Sequence, residues 1–215
     1  MKIHNSIFKY AGVLAIPVYV AFTYASHIHN RQINPMGNWL SEYGDPLVNP
    51  DGAVLYNTGC VITALLLAVF YIGMYRWYRR GPAARKFNIS IAVAQASGLI
   101  GSVFLILTTV YTLGVNTEKH SLFSMLNMIA MNLFLAFTAT GILVNPKIHK
   151  GIAVFGFIAD IFNIITMNAF VDFFISEWIY FLLFMMYMVL ITRQYNRLIG
   201  TEENIIFPKT INQNL

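Results

Sequence analysis

Six long apolar runs set the terms for this chain. They lie at about 10–28, 54–75, 89–113, 121–144, 152–171 and 177–195 of 215 residues. Each approaches the roughly 20 helical residues that cross a hydrocarbon core. In lipid every backbone N–H and C=O must be paired within the protein, which favours helices. Charged residues make up only 11% of the chain, against about 25% in an ordinary globular protein, too few to coat a soluble surface. The expected fold is an all-α membrane protein. Residues 1–199 form a six-transmembrane-helix bundle, and 200–215 form a polar tail.

The first run could be mistaken for a secretory leader, since Lys2 and Lys9 precede an apolar stretch ending near Ala25-Ser26. It is longer than a leader core and contains Pro17. Its removal would leave five helices and put the basic loops on conflicting sides. It is read as a helix.

Topology follows from where the positive charges fall. Lys2, Lys9, Arg76, Arg79, Arg80, Arg85, Lys86, Lys147, Lys150, Arg193, Arg197 and Lys209 share one face, leaving Arg31 and Lys119 on the other. The positive-inside rule places that richer face, with both termini, in the cytoplasm. Glu42, Asp45, Asp51, Glu118, Asp172 and Glu177 fall on the opposite face. The net charge of +5 is thus a topological signal rather than a nucleic-acid footprint, which needs a basic face on a soluble fold. The cluster Arg76, Arg79, Arg80, Arg85 and Lys86 can also meet anionic lipid headgroups or a cytoplasmic partner. The single Cys60 excludes an intramolecular disulfide.

Between the first two runs lies the longest polar interval, Asn30 to Gly52, with Pro35, Gly37, Gly44 and Pro46 at turn positions. A connection needs far fewer residues, so a long loop with its own turn chemistry suggests a site. Ser41 and Glu42 are its candidate catalytic residues. The topology brings them to the same membrane surface as His120, at the mouth of the fourth helix, and Glu177, at the mouth of the sixth. Ser124 and Asn127 follow His120 at i+4 and i+7, on one stripe. Asp172 ends the fifth helix. A histidine with carboxylates can do acid–base work or bind a divalent metal, with His120, Glu177 and Asp172 as the ligands. The same residues can equally cap helix ends. His27 and His29, at i and i+2, point apart on a helix. Trp39, Tyr43, Trp178 and Tyr180 fit one interfacial aromatic belt, and Trp77 and Tyr78 the other.

Asp160 is the most expensive residue, about 12 Å into the fifth helix at 1.5 Å per residue. A carboxylate there costs about 2.5–3.5 kcal/mol, so it faces the bundle or is protonated. Asn163 at i+3 is its expected partner. Together they suggest a proton relay, a ligand anchor or a bundle-holding hydrogen bond. Ser97/Gly101 and Gly98/Ser102 give the third helix two small-xxx-small pairs, the mark of close helix contact. No nucleophile elbow, Walker loop, zincin or Rossmann pattern occurs.

The motifs Leu40-Ser41-Glu42-Tyr43-Gly44, Asn57-Thr58-Gly59, His120 and Glu177-Trp178 resemble two groups of membrane proteins that share a six-helix plan. One is the prokaryotic family of unknown function numbered 998, and the other is the DRAM/Frag/Sfk type. The resemblance covers about 10–195. Tyr43 stands where a Thr is common, and Asp160 has no counterpart role. It implies a loose theme of lipid handling. The expected function is binding or remodelling of a lipid or amphiphile at an extracytoplasmic polar site, with Asp160 and Asn163 among the ligand-binding candidates. The alternatives are a small proton-coupled transporter using Asp160 and a non-catalytic scaffold. No cofactor is specified.

Overall fold

A computed structural model describes residues 2–169 and 174–199. Seven α-helices run through them: α1 Lys2–His29, α2 Ala53–Gly73, α3 Arg85–Val110, α4 Thr117–Val144, α5 Lys150–Ala169, α6 Ile175–Arg193 and the short α7 Tyr195–Leu198. Three 3₁₀ turns, Leu40–Gly44, Met74–Trp77 and Pro82–Ala84, complete the secondary structure. Among the described residues five helices, α1, α2, α3, α4 and α6, are long and apolar enough to span a membrane. The chain is a multi-pass membrane protein. The expected sixth span corresponds to α5, and its C-terminal end at 170–171 lies outside the described residues.

Each long helix packs on the next, and α6 returns to α1, so the up-and-down chain closes into a ring. Leu14, Val20, Ile100, Ile129, Ile158 and Leu182 point outward with about half their surface exposed, as lipid-facing positions should. Inside, Tyr71 of α2 meets Phe134 of α4 edge-on at 4.9 Å, and Phe134 meets Phe184 of α6 at 6.1 Å. The expected small-residue stripe on α3 is an internal contact. A side chain at position 98 would meet the Tyr71 ring of α2, and one at position 101 would meet Met131 of α4.

At the end opposite the long loop, the helix termini are closed by side chains. Lys150 donates to the carbonyls of Ile142, Leu143 and Asn145, satisfying the last turn of α4, where orphan carbonyls need partners. The Tyr195 hydroxyl donates to the Gly73 carbonyl at 2.9 Å, fastening α7 to α2. Gly81 turns the chain toward α3 at φ +94°, a region where a Cβ is disfavoured. The Arg79 guanidinium lies 4.3 Å from the Phe87 ring centre, and burial lowers its pKa.

The aromatic belts need correction. Trp77, Tyr43 and Tyr180 are buried. Trp77 packs on Phe70 and Tyr195 in the core. Their rings fill gaps between helices that a smaller side chain would leave empty.

Candidate functional site

The 30–52 loop folds inward over one end of the ring. Glu42 accepts the Trp39 N–H at 2.9 Å and the Asn38 amide at 2.7 Å, which shapes the 3₁₀ turn. Tyr43 is buried beneath it, its hydroxyl paired with His27 Nδ1 at 2.7 Å and donating to the Ile33 carbonyl at 3.3 Å. Burial raises the Tyr43 pKa, which keeps the phenol a donor. The Asn49 amide donates to Ser26 Oγ and the Tyr43 carbonyl, and Asn57 of α2 donates to the Gly44 carbonyl at 2.9 Å.

Helix α6 supplies the last clamp. Glu177 Oε2 accepts the Leu40 N–H at 2.8 Å and approaches the Ser41 N–H at 3.4 Å. Trp178 Nε1 donates to the Asn38 carbonyl at 3.0 Å. The loop is a fixed lid tied to α1, α2 and α6.

His120 is the fourth residue of α4 rather than its first, because Asn116 caps the helix by accepting the Lys119 N–H. Its Nδ1–H reaches two carbonyls at the end of α3, Tyr111 at 2.8 Å and Thr108 at 3.1 Å. Carbonyls can only accept, so Nδ1 carries a proton, and in the neutral ring Nε2 carries a lone pair. Nε2 is buried without a partner, and the residue is only 6% exposed. Thr112, 8% exposed, has an equally unpartnered hydroxyl.

Both residues line a cavity of about 40 Å³ whose wall also includes Ser41, Asn57, Thr108, Ser124, Asn127 and Glu177. Ser41, the α4 pair His120 and Asn127, and Glu177, from three stretches widely separated in sequence, thus meet around one space. Below it lies a second cavity of similar size, walled by Leu67, Met131, Tyr180, Phe184, Met185 and Met188. The two share Leu105, Asn127 and Phe181. A third space, an open groove of about 470 Å³, lies between α1 and α6 and is bordered by Val20, Tyr24, Arg31, Leu182 and Met185. Phe181 borders all three spaces. Its ring stacks parallel to that of Tyr19 at 5.5 Å, forming the wall between groove and interior.

Other expected site residues lie elsewhere. Glu42 shapes the loop and is not on the cavity wall. Asp160 and Asn163 are buried in α5 away from all three spaces. Asn163 donates to Asn132 of α4 at 2.5 Å rather than serving Asp160, whose Oδ1 has no partner. The i+3 spacing permitted a local pair, but the α4 amide is the nearer acceptor. Asp172 lies outside the described residues. Among the described residues no three His, Cys, Asp or Glu side chains converge on a metal-sized point.

Sequence reasoning did not single out Thr108 or Thr112, gave Asn57 only as part of the Asn57-Thr58-Gly59 motif, and set aside His27, which lies beneath the lid. A signal existed for the threonines, since Thr108 and Thr109 end α3 and Thr112 follows it, just before the turn to His120.

Residues 13–194 match the family described as Protein of unknown function (DUF998). The chain belongs to this family. No curated protein and no solved structure matches it. The DRAM/Frag/Sfk resemblance gains no support from these matches.

Proposed function

We propose that this DUF998 protein binds a membrane amphiphile. Its head sits in the His120–Glu177 cavity, and its chain passes Phe181 toward the α1–α6 groove. The observation that carries the reading is that Phe181 borders the polar cavity, the apolar cavity and the membrane-facing groove. Sites for small molecules are largely apolar with a few convergent polar groups, and this pairing has that composition. Met131, Met185 and Met188 line the apolar part, and flexible thioethers yield readily to a chain. The lid blocks the axial route, so entry is sideways from the lipid. With the basic end of the bundle in the cytoplasm, by the positive-inside rule, the site faces the extracytoplasmic leaflet. The cytoplasmic basic cluster at Arg76, Arg79, Arg80, Arg85 and Lys86 then lies against anionic headgroups.

Native mass spectrometry of protein released gently from its own membrane tests this. A defined adduct is expected in the wild type and absent from Phe181→Trp and His120→Ala. No adduct in any form contradicts the reading.

One observation favours a second role, a proton-coupled carrier: the buried Asp160 Oδ1 has no partner, and intramembrane carboxylates often mark ion paths. Loss of liposomal flux in Asp160→Asn, with the cavity variants unaffected, would support it.

A further inference from the structure

We infer that the polar cavity selects a primary ammonium headgroup, an inference that rests on the amphiphile reading above.

The first argument is the balance of donors and acceptors. With Nδ1–H committed to two carbonyls, the neutral His120 ring presents an unpartnered Nε2 lone pair. Asn57 and Asn127 each donate one amide proton to the Gly44 and Gly101 carbonyls and keep an amide oxygen and a second N–H. The Thr108 and Thr109 hydroxyls donate to the Leu105 and Ile106 carbonyls, so their oxygens can only accept there. Glu177 accepts from the lid through Oε2, and Oε1 has no partner among the described residues. The Ser41, Thr112 and Ser124 hydroxyls can turn either way, while neutral His120 Nε2 and Glu177 Oε1 can only accept. A donating occupant satisfies those two, and an ammonium offers three donors and no acceptor.

Charge points the same way. Glu177 is the wall's one carboxyl group, and neither Lys nor Arg reaches it. A phosphate or carboxylate would enter without a cationic partner, and buried unpaired charge is strongly disfavoured. An ammonium would hold Glu177 as its counter-ion, in a charge-assisted hydrogen bond.

Size separates the ammonium from bulkier headgroups. The space of about 40 Å³ takes roughly three water-sized groups. An ammonium is the size of a water. A sugar ring with its hydroxyls, or a trimethylammonium group, fills more than this and, for the latter, brings no donor. The apolar cavity beyond Asn127 and Phe181 then takes the first methylenes of the attached chain, and the rest runs into the α1–α6 groove of about 470 Å³.

The test uses three chain-matched probes, dodecylamine, dodecyltrimethylammonium and dodecanol, titrated into the full-length protein in phosphatidylcholine nanodiscs. The readout is the ¹⁵N resonance of His120 Nε2, assigned with His120→Gln, together with the thermal midpoint. The amine is expected to shift the Nε2 resonance and to bind at least about tenfold tighter than the trimethylated probe, since charged hydrogen bonds are lost on methylation. Glu177→Gln, which keeps an acceptor for the lid, should erase that preference while still binding dodecanol. Equal binding of all three probes overturns the ammonium inference and leaves the amphiphile reading standing. Binding of none overturns both. An equal Nε2 shift from sodium or potassium chloride alone makes this an inorganic cation site and overturns the inference.

Discussion

Removing the Glu177 carboxylate should unlatch the lid without unfolding the bundle. In Glu177→Ala the Leu40 N–H, in a buried residue, loses its 2.8 Å acceptor. The Ser41 contact at 3.4 Å is long and contributes little. Hydrogen bonds to charged groups contribute about 1.5–3 kcal/mol, and an abandoned buried donor costs about 1–3 kcal/mol. A local loss of about 2 kcal/mol corresponds to roughly 30-fold faster opening. The other ties, Trp178 to Asn38, Asn57 to Gly44 and Asn49 to Ser26, remain, so the effect should stay confined to the loop. Amide hydrogen exchange resolved by mass spectrometry reads this directly. The peptide spanning 38–45 should exchange about 30-fold faster in Glu177→Ala, with α2 and α4 unchanged. Glu177→Gln should fall between, because its amide oxygen still accepts. Unchanged exchange in the Ala variant, or acceleration spread over the whole bundle, refutes the latch.

Gly98→Ala drives a methyl into the buried Tyr71 ring and should cost about 1–3 kcal/mol, seen as a lower unfolding midpoint in detergent. Gly101→Ala should cost less, because the atom it meets is the terminal methyl of Met131, which can swing aside. Asp160→Asn should leave the midpoint equal or higher, since it removes a buried carboxyl whose Oδ1 is unpartnered; a clear drop would show that the carboxyl is needed to hold the bundle. Trp178→Phe keeps the ring but loses the bond to the Asn38 carbonyl, so the lid peptide should exchange about fivefold faster, for about 1 kcal/mol.

The all-α membrane character was legible because hydrophobic length is a property of each segment alone, and among the described residues five of the six expected spans are long and apolar enough to cross a membrane. The loop's importance was legible too, from turn residues and an excess length. What the sequence concealed was which polar groups are spent. Glu42 and Glu177 are both acids on the loop end, yet one shapes the turn and the other clamps the lid beside the cavity. Asn163 looked available to Asp160 and is instead bound to Asn132. His120 stood out by position, but its free Nε2 depends on carbonyls at the end of α3, and no one-dimensional spacing encodes them. Tyr43 and Tyr180 read as interfacial because aromatic residues near helix ends usually are; their burial is set by the inward fold of the lid and by α6 packing.

The central claim is that an amphiphile chain occupies the bundle interior next to Phe181. A dodecylamine analogue with a photoactivatable diazirine along its chain, irradiated on the protein in nanodiscs, tests it most directly. The account predicts labels on Leu105, Met131, Phe181 and Met185, the residues that border the inner spaces, competed away by unlabelled amine. Labels confined to lipid-facing positions such as Leu65, Ile129 and Ile158, without competition, would contradict it.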